Sequence, residues 1–72
     1  MDIASEIQKY IEGRGITQTS IARKTGIKPA RLNLMIRGKR SLPLLDYVAI
    51  CDALQVPEDT FFKMAREVRD GA

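Results

Sequence analysis

Eight cations, Arg14, Arg23, Lys24, Lys28, Arg31, Arg37, Lys39 and Arg40, fall between Gly13 and Leu45, and that 33-residue stretch holds no acid. The other four cations share the rest of the chain with all nine acids, so the stretch carries +8 and the remainder −5 on a chain of net charge +3. Guanidinium and ammonium groups gathered without counter-acids are suited to phosphates. Each phosphate they neutralise releases condensed counterions, which drives binding to a nucleic-acid backbone. A solvated face of accidental sign is the plain alternative. In a chain that is 29% charged, an acid-free run of this length argues against it.

Other chemistries find little to work with. There is no histidine, which removes the commonest general base and metal ligand. The sequence has no Cys/His metal spacing, no phosphate-cradling glycine loop and no nucleophile set beside a base, so neither catalysis nor a metal or cofactor is expected. Asp46 and Asp52 are too far apart on a helix for a glycosidase-like carboxylate pair. The single cysteine, Cys51, excludes an internal disulfide and lies in an apolar run with no cation beside it, which suits packing better than redox chemistry. No apolar run reaches the roughly 18 residues that span a bilayer, and the start, MDIASEIQKY, is acidic and amphipathic rather than signal-like. A soluble cytoplasmic protein, nucleoid-associated when bound, is the expectation.

The basic stretch has to be positioned by helices. Thr17 is a good N-cap, and Ile16 and Ile21 flank the start of a helix as a hydrophobic staple. That helix ends at Gly26, which suits the left-handed position after a helix, and a further helix restarts with Pro29 at its first turn. Two helices joined only by Thr25, Gly26 and Ile27 cross steeply. Ala22 leaves room for the crossing, with Ile21, Ile27, Leu32 and Met35 beneath it, so the pair is a helix-turn-helix. At about 100° per residue, Met35 and Ile36 share the inner face with Leu32, while Ala30, Arg31, Asn33, Leu34 and Arg37 make the outer face or its flanks. Arginine pairs bidentately with guanine, asparagine with adenine, and Ala or Leu touches the thymine methyl group. Leu34 suits either a thymine methyl or a partner protein.

Three further helices complete a single domain of 72 residues, near the lower limit for one unstapled core. The first runs from about Ile3 to Glu12, with Ile3, Ile7, Tyr10 and Ile11 on one stripe; an aromatic on such a stripe is core material more often than a base-stacking ring. The fourth spans roughly Pro43 to Gln55, apolar on nearly every side, and belongs in the middle of the bundle, where Leu42, Tyr47, Ile50, Cys51 and Leu54 complete the core. The fifth follows Pro57, with Glu58 and Asp59 in its first turn, where the helix dipole favours acids. Within residues 58–70, Phe61, Met64, Ala65 and Val68 recur at helical spacing. They form more apolar surface than closure needs and mark a candidate dimer seam.

Gln18, Ala22, Gly26, Ile27, Leu32, Met35, Gly38 and Leu54 together resemble the Cro/C1-type helix-turn-helix family of phage repressors. LNLMIRGKRSL is similar to a subgroup of short bacterial and phage regulators, and the likeness covers roughly Ile7 to Phe62. It implies an all-α, five-helix lambda-repressor-like fold with the third helix in the major groove of double-stranded DNA. Carried over position by position, it implies base contacts from Ala30, Arg31, Asn33 and Leu34 and phosphate contacts from Gln18, Lys28, Arg37, Lys39 and Arg40. The chain departs from the family at Pro29, Leu34 and Ile36, where polar residues are common. The function implied is a transcriptional regulator, a repressor of phage or mobile-element type, acting as a weak homodimer that a pseudo-palindromic operator strengthens. The competing expectation is a protein-interaction module of the same fold, an antitoxin or an anti-repressor.

Overall fold

The computed structural model describes residues 3–71, with side chains described for residues 3–65. It holds five helices: α1 (Ile3–Gly13), α2 (Gln18–Thr25), α3 (Pro29–Ile36), α4 (Leu44–Leu54) and α5 (Thr60–Gly71). The all-helical five-element expectation is met. In the core, Ile7 and Ile11 of α1 meet Ile21 and Ala22 of α2, Ile27 of the turn, Leu32, Met35 and Ile36 of α3, Tyr47, Ile50 and Cys51 of α4, and Phe61 of α5. These are the apolar stripes read from helical periodicity, now facing one another. Helix α1 packs against α3 and α5, while α2 packs against α3 and α4.

The helices end where backbone chemistry says they should. After α3, Gly38 takes φ 74°, its N–H reaches the Met35 carbonyl at 3.1 Å, and the Lys39 N–H reaches the Leu34 carbonyl at 2.9 Å. That is a Schellman closure, in which glycine accepts the left-handed conformation without a Cβ penalty. Helix α4 closes by the same pattern, with Gln55 N–H to the Asp52 carbonyl at 3.1 Å and Val56 N–H to the Cys51 carbonyl at 3.0 Å. Here the left-handed residue is Gln55, at φ 59°, which carries a Cβ and therefore some strain.

Two expectations for the C-terminal half need correction. The apolar sequence of α4 predicts a helix enclosed along its length, yet Leu44 is 69% and Leu45 82% exposed. The buried residues of α4 are Tyr47, Ile50 and Cys51, which begin one turn further on, with Val48, Ala53 and Leu54 half-buried against them. Helix α5 begins at Thr60, so Glu58 and Asp59 precede it rather than occupying its first turn. Asp59 still serves the helix start: its carbonyl accepts the Lys63 N–H at 2.9 Å and its carboxylate pairs with the Lys63 ammonium at 3.2 Å.

Candidate nucleic-acid interface

The hairpin is assembled from its own polar residues. Thr17, in extended conformation, accepts the Ser20 N–H on Oγ1 at 3.1 Å, and the Ser20 hydroxyl returns a bond to the Thr17 carbonyl at 2.9 Å. At the other end Thr25 stitches the turn. Its hydroxyl donates to the Ile21 carbonyl at 2.8 Å and accepts from the Ile27 N–H at 3.2 Å. Gly26 sits at φ 79° with its N–H on the Ala22 carbonyl, which releases the chain toward Lys28 and Pro29. Pro29 opens α3 where its missing N–H costs nothing.

That turn presents α3 with one side in the core and one side free. Leu32, Met35 and Ile36 are buried, Ala30 and Arg37 are exposed, and Leu34 is 38% exposed. No side chain caps the start of α3 and no acid stands in its first turn. Helix N-termini of this kind favour anions, and the exposed Lys28 sits at the cap position. At the opposite end of α3 and in the loop beyond it, Arg37, Lys39 and Arg40 are all exposed. Among the described residues the ion pairs are Lys9 with Glu6, Arg31 with Asp46, and Lys63 with Asp59. Lys28, Arg37, Lys39 and Arg40 belong to none of these pairs, and their charge faces solvent.

The two flanks of α3 are tied sideways. Asn33 donates from Nδ2 to Gln18 Oε1 at 3.0 Å, joining α3 to α2. A phosphate-contacting Gln18 would then use its own amide N–H₂, while Asn33 retains its Oδ1 for an acceptor role. On the other flank, Arg31 Nη2 bonds Asp46 Oδ2 of α4. Periodicity places Arg31 correctly and misses its partner. The available signal is that Asp46 is the first acid after the long acid-free run.

The dimer-seam residues separate. Phe61 is fully buried, with its ring edge-on to Tyr10 at 5.4 Å and to Tyr47 at 6.4 Å, so it belongs to the core and cannot form an exposed seam. Its neighbour Phe62 is the exposed ring, at 50%. Met64 and Ala65 are half-buried, and the side chain of Val68 lies outside those described. Phe62, Leu44, Leu42, Tyr47, Met35 and Arg40 are among the residues that line a groove of about 420 Å³.

Cys51 is buried beside Tyr47, as packing requires. Burial pushes its thiol above the ordinary value, against a smaller lowering by the Tyr47 hydrogen bond, so it is held as the unreactive thiol. Burial, then the Cys51 hydrogen bond, pushes the Tyr47 phenol upward as well. That phenol donates to the Glu58 carbonyl and so anchors the α4–α5 connection. Among the described residues no helix is long and apolar enough to cross a membrane.

No curated protein and no solved structure gives a match to the chain. A family model described as helix-turn-helix matches residues 7–61, which runs from within α1 to the first two residues of α5. With its capped hairpin, its half-exposed α3 and that match over most of its length, the chain belongs to the Cro/C1-type helix-turn-helix family of DNA-binding regulators.

Proposed function

We propose that the protein is a sequence-specific repressor of phage or mobile-element type that inserts α3 into the major groove of double-stranded DNA. The observation that carries this is the placement of exposed cations outside the ion pairs of the described residues, Lys28 before α3 and Arg37, Lys39 and Arg40 after it, around a face where Ala30 and Leu34 are open. Those cations grip phosphates and fix register; the α3 face reads bases. Gln18 adds a grip from the start of α2, and Asn33 and Arg31 read from the flanks. The protein needs no cofactor, and we assign it no catalysis.

One module of this size buries roughly 600 to 1,000 Å² on DNA, too little for tight specific affinity, so two copies on a pseudo-palindromic operator are proposed. The seam is assigned to Phe62, Met64 and Ala65, with Val68 beyond them. So few apolar residues fall short of the roughly 1,200 Å² of a stable interface, so the dimer is weak until DNA joins the halves. The site of action is the cytoplasm, at the nucleoid.

Replacing Arg37, Lys39 and Arg40 together by alanine is expected to weaken binding to all duplexes nearly alike, and to lower the salt slope by about 0.9 for every phosphate left unneutralised. Unchanged binding of random duplex at low salt would remove this face from DNA. The exposure of Leu34 favours one competing function, docking of a protein partner as an antitoxin or anti-repressor does. Partner binding that ignores salt and is abolished in Leu34→Ser would favour that function.

A further inference from the structure

The sideways tie between Arg31 and Asp46 bears on how α3 discriminates one DNA from another, and it rests on the DNA-binding function proposed above. Arg31 belongs to a run of eight cations, and it is the member of that run that the described ion pairs engage. Its partner is largely enclosed: the Asp46 side chain is 18% exposed, against 38% for Arg31. Both groups sit at the border of the basic face, one on α3 and one in the first turn of α4.

We infer that Asp46 is a specificity-determining positioning residue, which holds Arg31 as a charge-compensated reader of base edges and keeps it from acting as a free phosphate clamp. Pulling Arg31 away to a phosphate would leave a mostly enclosed carboxylate unpaired beside a polyanion, at the cost of burying a lone charge. The pair therefore stays together on DNA. A neutral pair releases no counterions and adds nothing to binding of arbitrary sequence. The guanidinium nevertheless keeps donors beyond the one spent on Asp46, in a fixed fork, and such a fork suits guanine O6 and N7. The device raises the ratio of specific to non-specific affinity by suppressing the second term.

The test uses the full chain, random-sequence duplex, and a duplex selected by the parent protein from a random pool, each titrated over a tenfold range of salt. Asp46→Asn and Asp46→Ala are both made, so that a folding failure of one leaves the other; circular dichroism identifies the folded variants. Freed Arg31 is expected to tighten binding to random duplex about five- to tenfold at low salt and to steepen the salt slope by about 0.9, the increment for one more phosphate neutralised. The ratio of selected to random affinity falls correspondingly. Asp46→Glu, which keeps the charge, restores parental behaviour. Adding Arg31→Met to the Asp46 variant abolishes the gain. If the gain survives that second change, Asp46 acts by plain repulsion and not through Arg31, and the inference is overturned. It is overturned equally if a folded Asp46 variant keeps the parental slope and ratio. A parent that itself shows no salt-sensitive duplex binding brings down the proposed function, and this inference with it.

Discussion

The α2–α3 hairpin and the α4–α5 corner are each a pair of helices joined by a short turn, but they are specified in different ways. In the hairpin every backbone decision has a dedicated residue: Thr17 starts α2, Gly26 ends it at φ 79°, Pro29 opens α3 and Gly38 closes it. In the corner those roles fall to residues poorly suited to them. Pro43 caps α4 without a side-chain acceptor, and Gln55 takes the left-handed position that glycine fills elsewhere. The corner is held instead by rings and one long-range bond, Tyr10 and Tyr47 on Phe61 and the Tyr47 hydroxyl on the Glu58 carbonyl. Local coding fixes the hairpin backbone residue by residue. Tertiary packing is enough where the element only has to close the core.

The largest test of that contrast is in the core beneath the hairpin. Leu32→Ala is expected to cost about 2 to 5 kcal/mol, a large share of the stability of so small a domain. Leu54→Ala, at a half-buried site, should cost clearly less. Chemical denaturation of both measures the difference, and equal losses would mean that the corner contributes as much as the hairpin.

Next come two of the left-handed residues, one from each region. Gly26→Ala should destabilise by about 1 to 2 kcal/mol through its positive φ, although open space surrounds the added methyl. Gln55→Gly should move the other way, by up to about 1 kcal/mol, because it relieves the same strain. A stabilising Gly26→Ala would show that the turn is not locally determined.

A pH series separates the regions again. Folding raises the pKa of Cys51 and of Tyr47, so both are held protonated in the native state. Their stabilising contribution is whole below the ordinary thiol value of roughly 8.5 and declines as pH rises past it toward the folded values. Thermal melts should therefore weaken on the alkaline side, and Cys51→Ala should flatten the first part of that decline. The smallest effect belongs to the corner's outer surface, where Leu45→Ser should change stability by less than about 0.5 kcal/mol.

The same contrast explains what can be read in advance. The hairpin is legible because its signals, an N-cap, a glycine and a proline, act within a few residues, and periodicity then separates Leu32, Met35 and Ile36 from Ala30 and Leu34. Cys51 is legible as core from its apolar surroundings in the chain. Phe61 and Phe62 are not distinguishable, since they are adjacent rings on one helix that both approach Tyr47, and what separates them is the Tyr10 ring, from another helix, on Phe61. The exposure of Leu44 and Leu45 is hidden because an all-apolar helix gives no periodic contrast. Asp46 looks like a surface acid, as its partner is 15 residues away and on another helix.

The aromatic arrangement has a consequence for anyone following this protein by light. The chain has no tryptophan, and its two tyrosines and two phenylalanines all meet at one junction of α1, α4 and α5. Tyrosine emission and near-ultraviolet dichroism are therefore gauges centred on that junction, since no aromatic ring lies within the α2–α3 hairpin itself. Far-ultraviolet dichroism averages over all five helices. If the molecule unfolds as one cooperative unit the two signals will trace the same curve. If tyrosine emission changes first, the corner opens while the α2–α3 hairpin is still folded, and under the proposed function loss of the spectroscopic signal will precede loss of duplex binding.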